Sequence, residues 1–260
     1  MSRAKYATRT DLYRPFLERI YAEQSAKYKK DKDKIKAAKT KLHQAYGAYY
    51  SEKNIESAKL LIEIGGALPP LSEKLVKLSA SSSERAGFAR EFYAFIFDAL
   101  PCEKIRSILD MGCGFNPFFL PYMADMSPKA DIEAYFAIDI GVNLISLVNR
   151  YFVLAGLPEH GFCMDIISEI PDQTADLAFL FKIIPTLEHD KKGRGFEIME
   201  QLKCKYTAVS FPTKTLGGKD INMADNYANF FEKNINRQKF AILDTHLFPG
   251  ELVYVLGKLP

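Results

Sequence analysis

The chain has 260 residues, 48% apolar and 13% aromatic, which supplies a sizeable core and excludes global disorder. Its four cysteines, Cys102, Cys113, Cys163 and Cys204, form no Cys-x-x-Cys pair, which argues against a zinc site or a disulfide scaffold and fits a reducing cytoplasm. The formal net charge is only +3, but residues 1–60 hold 15 Lys/Arg against 7 Asp/Glu, a basic arm on a mildly acidic body.

Such an arm suits a polyanionic partner, although a solvated lysine-rich helix has the same composition. The first twenty residues, MSRAKYATRTDLYRPFLERI, lack the unbroken apolar core of a signal peptide. The best apolar run, ADLAFLFKIIPTL, is too short for a membrane span and is interrupted by Lys182. The expectation is a soluble cytoplasmic protein.

Residues 1 to about 100 read as helical. KYKKDKDKIKAAKTKLHQAYGAYY has few β-branched residues and no proline, and IGGALPPL breaks the pattern. In SASSSERAGFAREFYAFIFDAL the serines are candidate caps. Phe88, Phe92, Phe95, Ile96 and Ala99 recur there at helical spacing, as a core-facing stripe does. From about residue 105 short apolar strands alternate with helices. RSILDMG, AYFAID, GFCMDI, ADLAFLFKI and YTAVSFP read as strands, and GVNLISLVNRYFVLAG and GFEIMEQL as helices between them. That alternation predicts an α/β fold with a mostly parallel, doubly wound sheet. KFAILDTHLFPGELVYVLG reads as a terminal antiparallel hairpin turning at Pro-Gly, bringing the sheet to seven strands. A Rossmann-like class I S-adenosylmethionine-dependent methyltransferase has this arrangement. The predicted division is a helical region over 1–100 and a methyltransferase domain over 101–260.

The stretch ILDMGCGFNPFFLPYM, residues 108–123, carries the main motif. Gly112 and Gly114 fit the first two positions of a dinucleotide loop, but Pro117 stands where the third glycine belongs. Pro117 suits the first turn of a helix, with Asn116 as its cap. No Gly-Lys-Ser/Thr follows, so a Walker loop is absent. Asp139 ends the second strand, where a carboxylate can accept both ribose hydroxyls of an adenosine. Asp165, near the next strand end, could reach an adenine amino group. Each has a plainer reading: Asp139 as a helix cap, Asp165 as a turn residue. Taken in order, the set points to S-adenosylmethionine, with Ile140 and Ile166 beside the two aspartates in the same site. His43, His160, His189 and His246 are widely spaced, so no metal is expected.

At this level of detail the chain resembles the Arm/Rmt family of 16S rRNA (guanine-N7)-methyltransferases, which confer aminoglycoside resistance. The matching stretches run in order: KLHQAYGAYY (41–50), SSSER (81–85), ILDMGCGFNP (108–117), LFKIIPTLE (180–188), VSFPTKTLGGK (209–219) and NYANFFE (226–232). The final GELVYV also looks like that family's last strand. The resemblance implies a helical extension that docks on the 30S subunit, a guanine of the decoding-site helix of 16S rRNA as substrate, and a monomer. It implies that Arg85 pairs with the cofactor carboxylate, that Tyr49 closes over the cofactor, and that Phe181 borders the adenine. It places Lys182 near the reaction centre and His43 and Met223 against RNA, while Lys214 and Lys219, flanking TLGG, suit phosphate contacts on a loop. Alternatives remain: Arg85 in a salt bridge with Glu84 or a neighbour, Tyr49, His43 and Met223 in packing, and the loop lysines merely solvated. A charge within AFLFKII is costly to bury without a partner, which favours function for Lys182.

The chain departs from the family pattern at Ser79 (commonly His), Asn222 (commonly Gly) and Lys219 (often Arg). Lysine keeps the charge but loses the bidentate fork of arginine. Guanine N7 carries an available lone pair, so its methylation rests on proximity and orientation more than on a strong base. N7 faces the deep, narrow groove of A-form RNA, which predicts a flipped-out target. The competing readings are a small-molecule methyltransferase, an rRNA methyltransferase acting on another nucleotide, and a non-catalytic RNA-binding factor.

Overall fold

The computed structural model describes residues 11–42, 51–214 and 222–260. Seven strands form one sheet: β1 (Ile105–Met111), β2 (Ala130–Asp139), β3 (Gly161–Cys163), β4 (Thr174–Phe181), β5 (Lys203–Pro212), β6 (Phe240–Phe248) and β7 (Glu251–Lys258). Their order is β3-β2-β1-β4-β5-β7-β6. The first five strands are parallel, and β7 inserts antiparallel between β5 and β6. This is the sheet expected from the sequence, terminal hairpin included. The order reverses at β1, so the C-terminal ends of β1, β2 and β4 frame a crevice, the usual ligand site of such sheets.

Side chains on a central strand alternate between two cores. Ile108 enters one and Leu109 the other; along β4, Leu177 and Phe179 face the first, Ala178 and Leu180 the second. Burial on both faces explains why these strands read as unbroken apolar runs. The second face is covered by α9 (Ile184–Asp190), α10 (Arg194–Gln201) and α11 (Met223–Asn234). The first is covered by α7 (Leu120–Met126) and α8 (Val142–Leu154) and by four earlier helices. These are α3 (Glu52–Ile64), α4 (Leu68–Val76), α5 (Ala80–Ala86) and α6 (Ala89–Asp98). The Phe88/Phe92/Phe95/Ile96 stripe is core as expected, with Phe92 and Ile96 fully buried.

Helices α1 (Arg14–Lys27) and α2 (Asp31–Leu42) stand apart as a hairpin with its own small cluster of Leu12, Phe16, Leu17, Ile20, Ala38 and Leu42. The lysine-rich stretch is thus divided: Tyr28 is extended and ends α1 before α2 begins.

Several local expectations change. In IGGALPPL the break spans only Gly65, Gly66 and Ala67, because Pro69 and Pro70 sit in the first turn of α4, where a missing N–H costs nothing. Ser79 makes no side-chain cap; Ser82 instead donates to the carbonyls of Val76 and Ser79. GFCMDI is a strand only to Cys163, because Asp165 folds the chain into a turn by accepting from Ile167 N and Ser168 Oγ.

Candidate active site

β1 ends in Asp110 and Met111, and the chain then turns sharply. Gly112 has φ +66° and Gly114 has φ +49°. A Cβ on Gly112 would meet Ile183 Cδ1 at 2.9 Å, so that side chain would have to shift, and the backbone conformation itself favours glycine there. At Gly114 a Cβ would face open space, and conformation alone sets the requirement. That space belongs to a cavity of about 470 Å³. The glycine loop, the ends of β2 and β4, and Phe16, Arg19 and Lys41 of the α1–α2 hairpin line it.

Asp139 lies where the sequence placed it, half-buried at the end of β2. Its Oδ2 accepts from Gly114 N at 3.1 Å and its Oδ1 from Gly141 N at 2.9 Å. Burial raises its pKa, and the backbone N–H groups of Gly141, Gly114 and Ile140 hold it back in part. The carboxylate therefore fixes the glycine loop and the entry to α8 together. Asp165 also lines the cavity, but its carboxylate is filled. Oδ2 accepts from Arg19 Nε (2.6 Å) and Ser168 Oγ (3.1 Å), and Oδ1 from Arg19 Nη2 (3.1 Å) and Ile167 N (3.3 Å). Four donors use the acceptor capacity of a carboxylate, so the free acceptor expected for an adenine amino group is not there. The turn and an ion pair to the hairpin account for Asp165. Ile140 and Ile166 line the same end of the cavity.

On the other side of β1 lies a buried charged network. Arg85 is 3% exposed and pairs with Glu251 through Nη2–Oε1 at 2.5 Å and Nε–Oε2 at 3.2 Å. Its partner is not the neighbouring Glu84. Phe92 and Phe181 flank the guanidinium at 4.4 Å and 4.6 Å to their centroids. Burial disfavours the Arg85 cation, but Glu251 and Tyr93 together outweigh it and the net shift is upward. Burial likewise pushes the Glu251 carboxyl up, and Arg85, Lys182 and Ser210 more than reverse this, leaving it below the usual carboxylate range.

Asn116 is not a helix cap. It is buried in a short 3-10 turn, Asn116–Phe119. Its Oδ1 accepts from Arg85 Nη1 and Tyr93 Oη, both at 2.7 Å, and its Nδ2 donates to Asp110 Oδ2 at 2.9 Å. Tyr135 Oη also donates to Asp110, at 2.7 Å. Burial drives the Asp110 pKa up to about 6, against the lowering effect of Tyr135, Asn116 and Arg85. A carboxyl raised on folding costs stability as pH climbs from its unfolded value to its folded one, here across roughly pH 4–6. Asp110→Asn should therefore gain stability relative to the parent as pH rises, by up to about 3 kcal/mol. Urea unfolding at pH 4.5 and 7.5 measures this, and a pH-independent difference would contradict it.

Lys182 follows β4 with φ +55°, a strained conformation for lysine. Its N–H donates to Ser210 O at 3.0 Å and Ser210 Oγ at 3.1 Å, which hold it there. Its Nζ lies 3.1 Å from Glu84 and 3.5 Å from Glu251, so the partner that its apolar surroundings demand is present. Phe181 ends β4, across β1 from Asp139 and Asp165, and therefore stands on the Arg85 side of the crevice. Lys214 is exposed beyond β5 and Met223 is half-exposed at the start of α11; neither lines the cavity. His43, Tyr49 and Lys219 lie outside the described residues.

The sequence reading missed Glu251, Ser210 and Arg19. Glu251 carried a usable signal, since a lone acid opening an apolar strand invites the same question as Lys182. Arg19 carried none, because it stands among ordinary surface charges of a short helix. Among the described residues no cluster of His, Cys, Asp and Glu could hold a metal ion, and no helix is long and apolar enough to cross a membrane.

The profile of the ribosomal RNA methyltransferase (FmrO) family matches residues 13–255. The chain belongs to this family. A relative from Serratia marcescens, named 16S rRNA (guanine(1405)-N(7))-methyltransferase, is 30% identical over 93% of this chain and 90% of its own length. One of the same name from Proteus mirabilis is 28% identical over all of this chain and 95% of its own. The crystal structure of the 16S rRNA methyltransferase RmtF in complex with S-adenosyl-L-homocysteine superposes with a TM-score of 0.84. It shares 30% identity and covers 98% of this chain and 96% of that one. As a member of the family the chain is a class I methyltransferase that uses S-adenosylmethionine, and its cavity fits that group. The Gly112 and Gly114 backbone conformations open the space, and Asp139 keeps acceptor capacity beside it. Arg85 and Lys182, paired with Glu251 and Glu84, bring cationic donors to the opposite end of the cavity.

Proposed function

We propose that the chain transfers a methyl group from S-adenosylmethionine to N7 of a flipped-out guanine in the decoding-site helix of 16S rRNA, within the 30S subunit, and so confers aminoglycoside resistance. Family membership together with the cavity at the β1/β2/β4 crevice carries this reading. S-adenosylmethionine bound there supplies an electrophilic sulfonium methyl. Asp139 accepts the ribose hydroxyls, Ile140 and Ile166 flank the adenine, and the glycine loop backbone lies beside the amino-acid part. Arg85 uses three of its five N–H donors on Glu251 and Asn116, and the other two suit the cofactor carboxylate. On this arrangement Phe181 borders the methionine side rather than the adenine. Tyr49 closes over the cofactor. Lys182, held by Ser210, orients the base, and the N7 lone pair does the rest without a strong general base.

The lysines of the α1–α2 hairpin, with His43, Lys214, Lys219 and Met223, face RNA, and the enzyme acts as a monomer in the cytoplasm. Phosphate contacts release counterions, so subunit binding should weaken steeply with salt. Replacing Lys214 or Lys219 by alanine should reduce the slope of log K against log salt by about 1 each. Fluorescence titration of 30S subunits at several salt concentrations reads this, and unchanged slopes in both variants would remove the phosphate contacts. The function itself is tested in a susceptible bacterium. Expression of the parent should raise aminoglycoside tolerance and expression of Asp139→Ala should not; equal sensitivity of the two would contradict the proposal.

A further inference from the structure

The α1–α2 hairpin belongs by sequence to the basic arm, yet it supplies a wall of the cofactor cavity. Phe16, Arg19 and Lys41 line that cavity directly. The chain entering the hairpin pairs with the chain leaving β2: Tyr13 N donates to Ile140 O at 2.8 Å, and Val142 N to Asp11 O at 2.9 Å. Ile140 packs against the hairpin's own apolar cluster. Arg19 then ties three acids together. It holds Asp165 with two bonds and reaches Glu23 at 2.7 Å and Asp190 at 2.8 Å. Lys41, on the second helix, reaches the other oxygen of Asp190. The side chains of Asp165 and Asp190 are 3% and 12% exposed, so this latch is largely shielded from water. Asp165 opens the turn after β3 and Asp190 ends α9; both line the cavity.

We propose that Arg19 is a positioning residue for the cofactor: by latching the hairpin onto Asp165 and Asp190 it completes the adenosine side of the cavity, so cofactor binding and hairpin docking are coupled. The inference rests on the cofactor reading above. It assigns Asp165 an indirect role, because Arg19, Ser168 and Ile167 already fill its carboxylate. Coupling is reciprocal: the factor by which docking tightens the cofactor is the factor by which the cofactor tightens docking. The helix that carries Lys32, Lys34, Lys36 and Lys39 would thus be held in place for its partner when the cavity is occupied.

The test uses the full chain, with S-adenosylhomocysteine as the probe. Calorimetric titration of Arg19→Met should show binding weakened about 10-fold or more, within the range usual for coupled sites. Arg19→Lys, which keeps charge but not the fork, should fall between it and the parent. The probe should slow tryptic cleavage within α2 several-fold in the parent and far less in Arg19→Met. Asp165→Asn should weaken binding by no more than Arg19→Met, and the double variant by less than the product of the two factors, because the Arg19–Asp165 pair is common to both. A purely structural ion pair would lower the melting temperature of Arg19→Met while leaving affinity within about 2-fold, and that result would overturn the inference; so would additive losses in the double variant. Failure of the parent itself to bind the probe would instead overturn the cofactor reading.

Discussion

Arg85→Leu and Glu251→Gln should each unfold far more easily than the parent and each lose methyl transfer. Either change leaves one fully buried charge without its main partner. Breaking a buried ion pair from one side costs about 3–5 kcal/mol, which in a chain of this size lowers the melting temperature by roughly 10 °C. The two effects separate in the double variant Arg85→Met/Glu251→Leu. An apolar pair between Phe92 and Phe181 should recover most of the stability, because the desolvation cost of both charges disappears. Cofactor affinity should not recover, because no cation remains for the ligand carboxylate except Lys182. Calorimetry and titration on the three variants check this. Recovery of both stability and affinity in the double variant would reduce the network to a packing device. The pH dependence has a definite sign. Glu251 is held below its ordinary range, so its contribution is present above the unfolded pKa and is lost as pH falls through the folded one. Glu251→Gln should lack that acid-side loss.

Asp139→Ala should raise the dissociation constant of S-adenosylhomocysteine by about 100-fold or more. Two losses combine. The ligand loses the acceptor for its ribose hydroxyls, and the loop loses the bonds to Gly114 N and Gly141 N, each worth about 1.5–3 kcal/mol as a bond to a charged group. Asp139→Asn retains an acceptor and should lose only part of the affinity. Titration at neutral pH, with the melting temperature as a check on folding, measures both. Unchanged affinity in Asp139→Ala would contradict both roles of the carboxylate.

The sheet was legible because its strands are short apolar runs bounded by Gly, Pro and Asp, and because burial on both faces leaves little else those runs could be. Gly112, Gly114 and Asp139 were legible because they depend on backbone conformation and on position at a strand end, both local properties. Arg85 and Lys182 were found, but their shared partner was not. Glu251 is 166 residues from Arg85, and only the antiparallel insertion of β7 beside β5 brings it in. Asn116 was misread for a related reason. Its neighbour Pro117 advertises a helix start, while its actual partners, Arg85, Tyr93, Asp110 and Tyr135, are gathered from four separate elements. Asp165 shows the limit of motif reasoning. A carboxylate at the expected strand end is present, and a hairpin arginine from a region read only as basic already occupies it.

Methyl transfer from labelled S-adenosylmethionine to purified 30S subunits, with the modified nucleotide mapped by primer extension after reduction and aniline cleavage, tests the central claim most directly. The proposed activity predicts a single stop at one decoding-site guanine, absent with Asp139→Ala. No stop at that helix, from protein that still binds S-adenosylhomocysteine, would contradict it and assign the cavity to another acceptor.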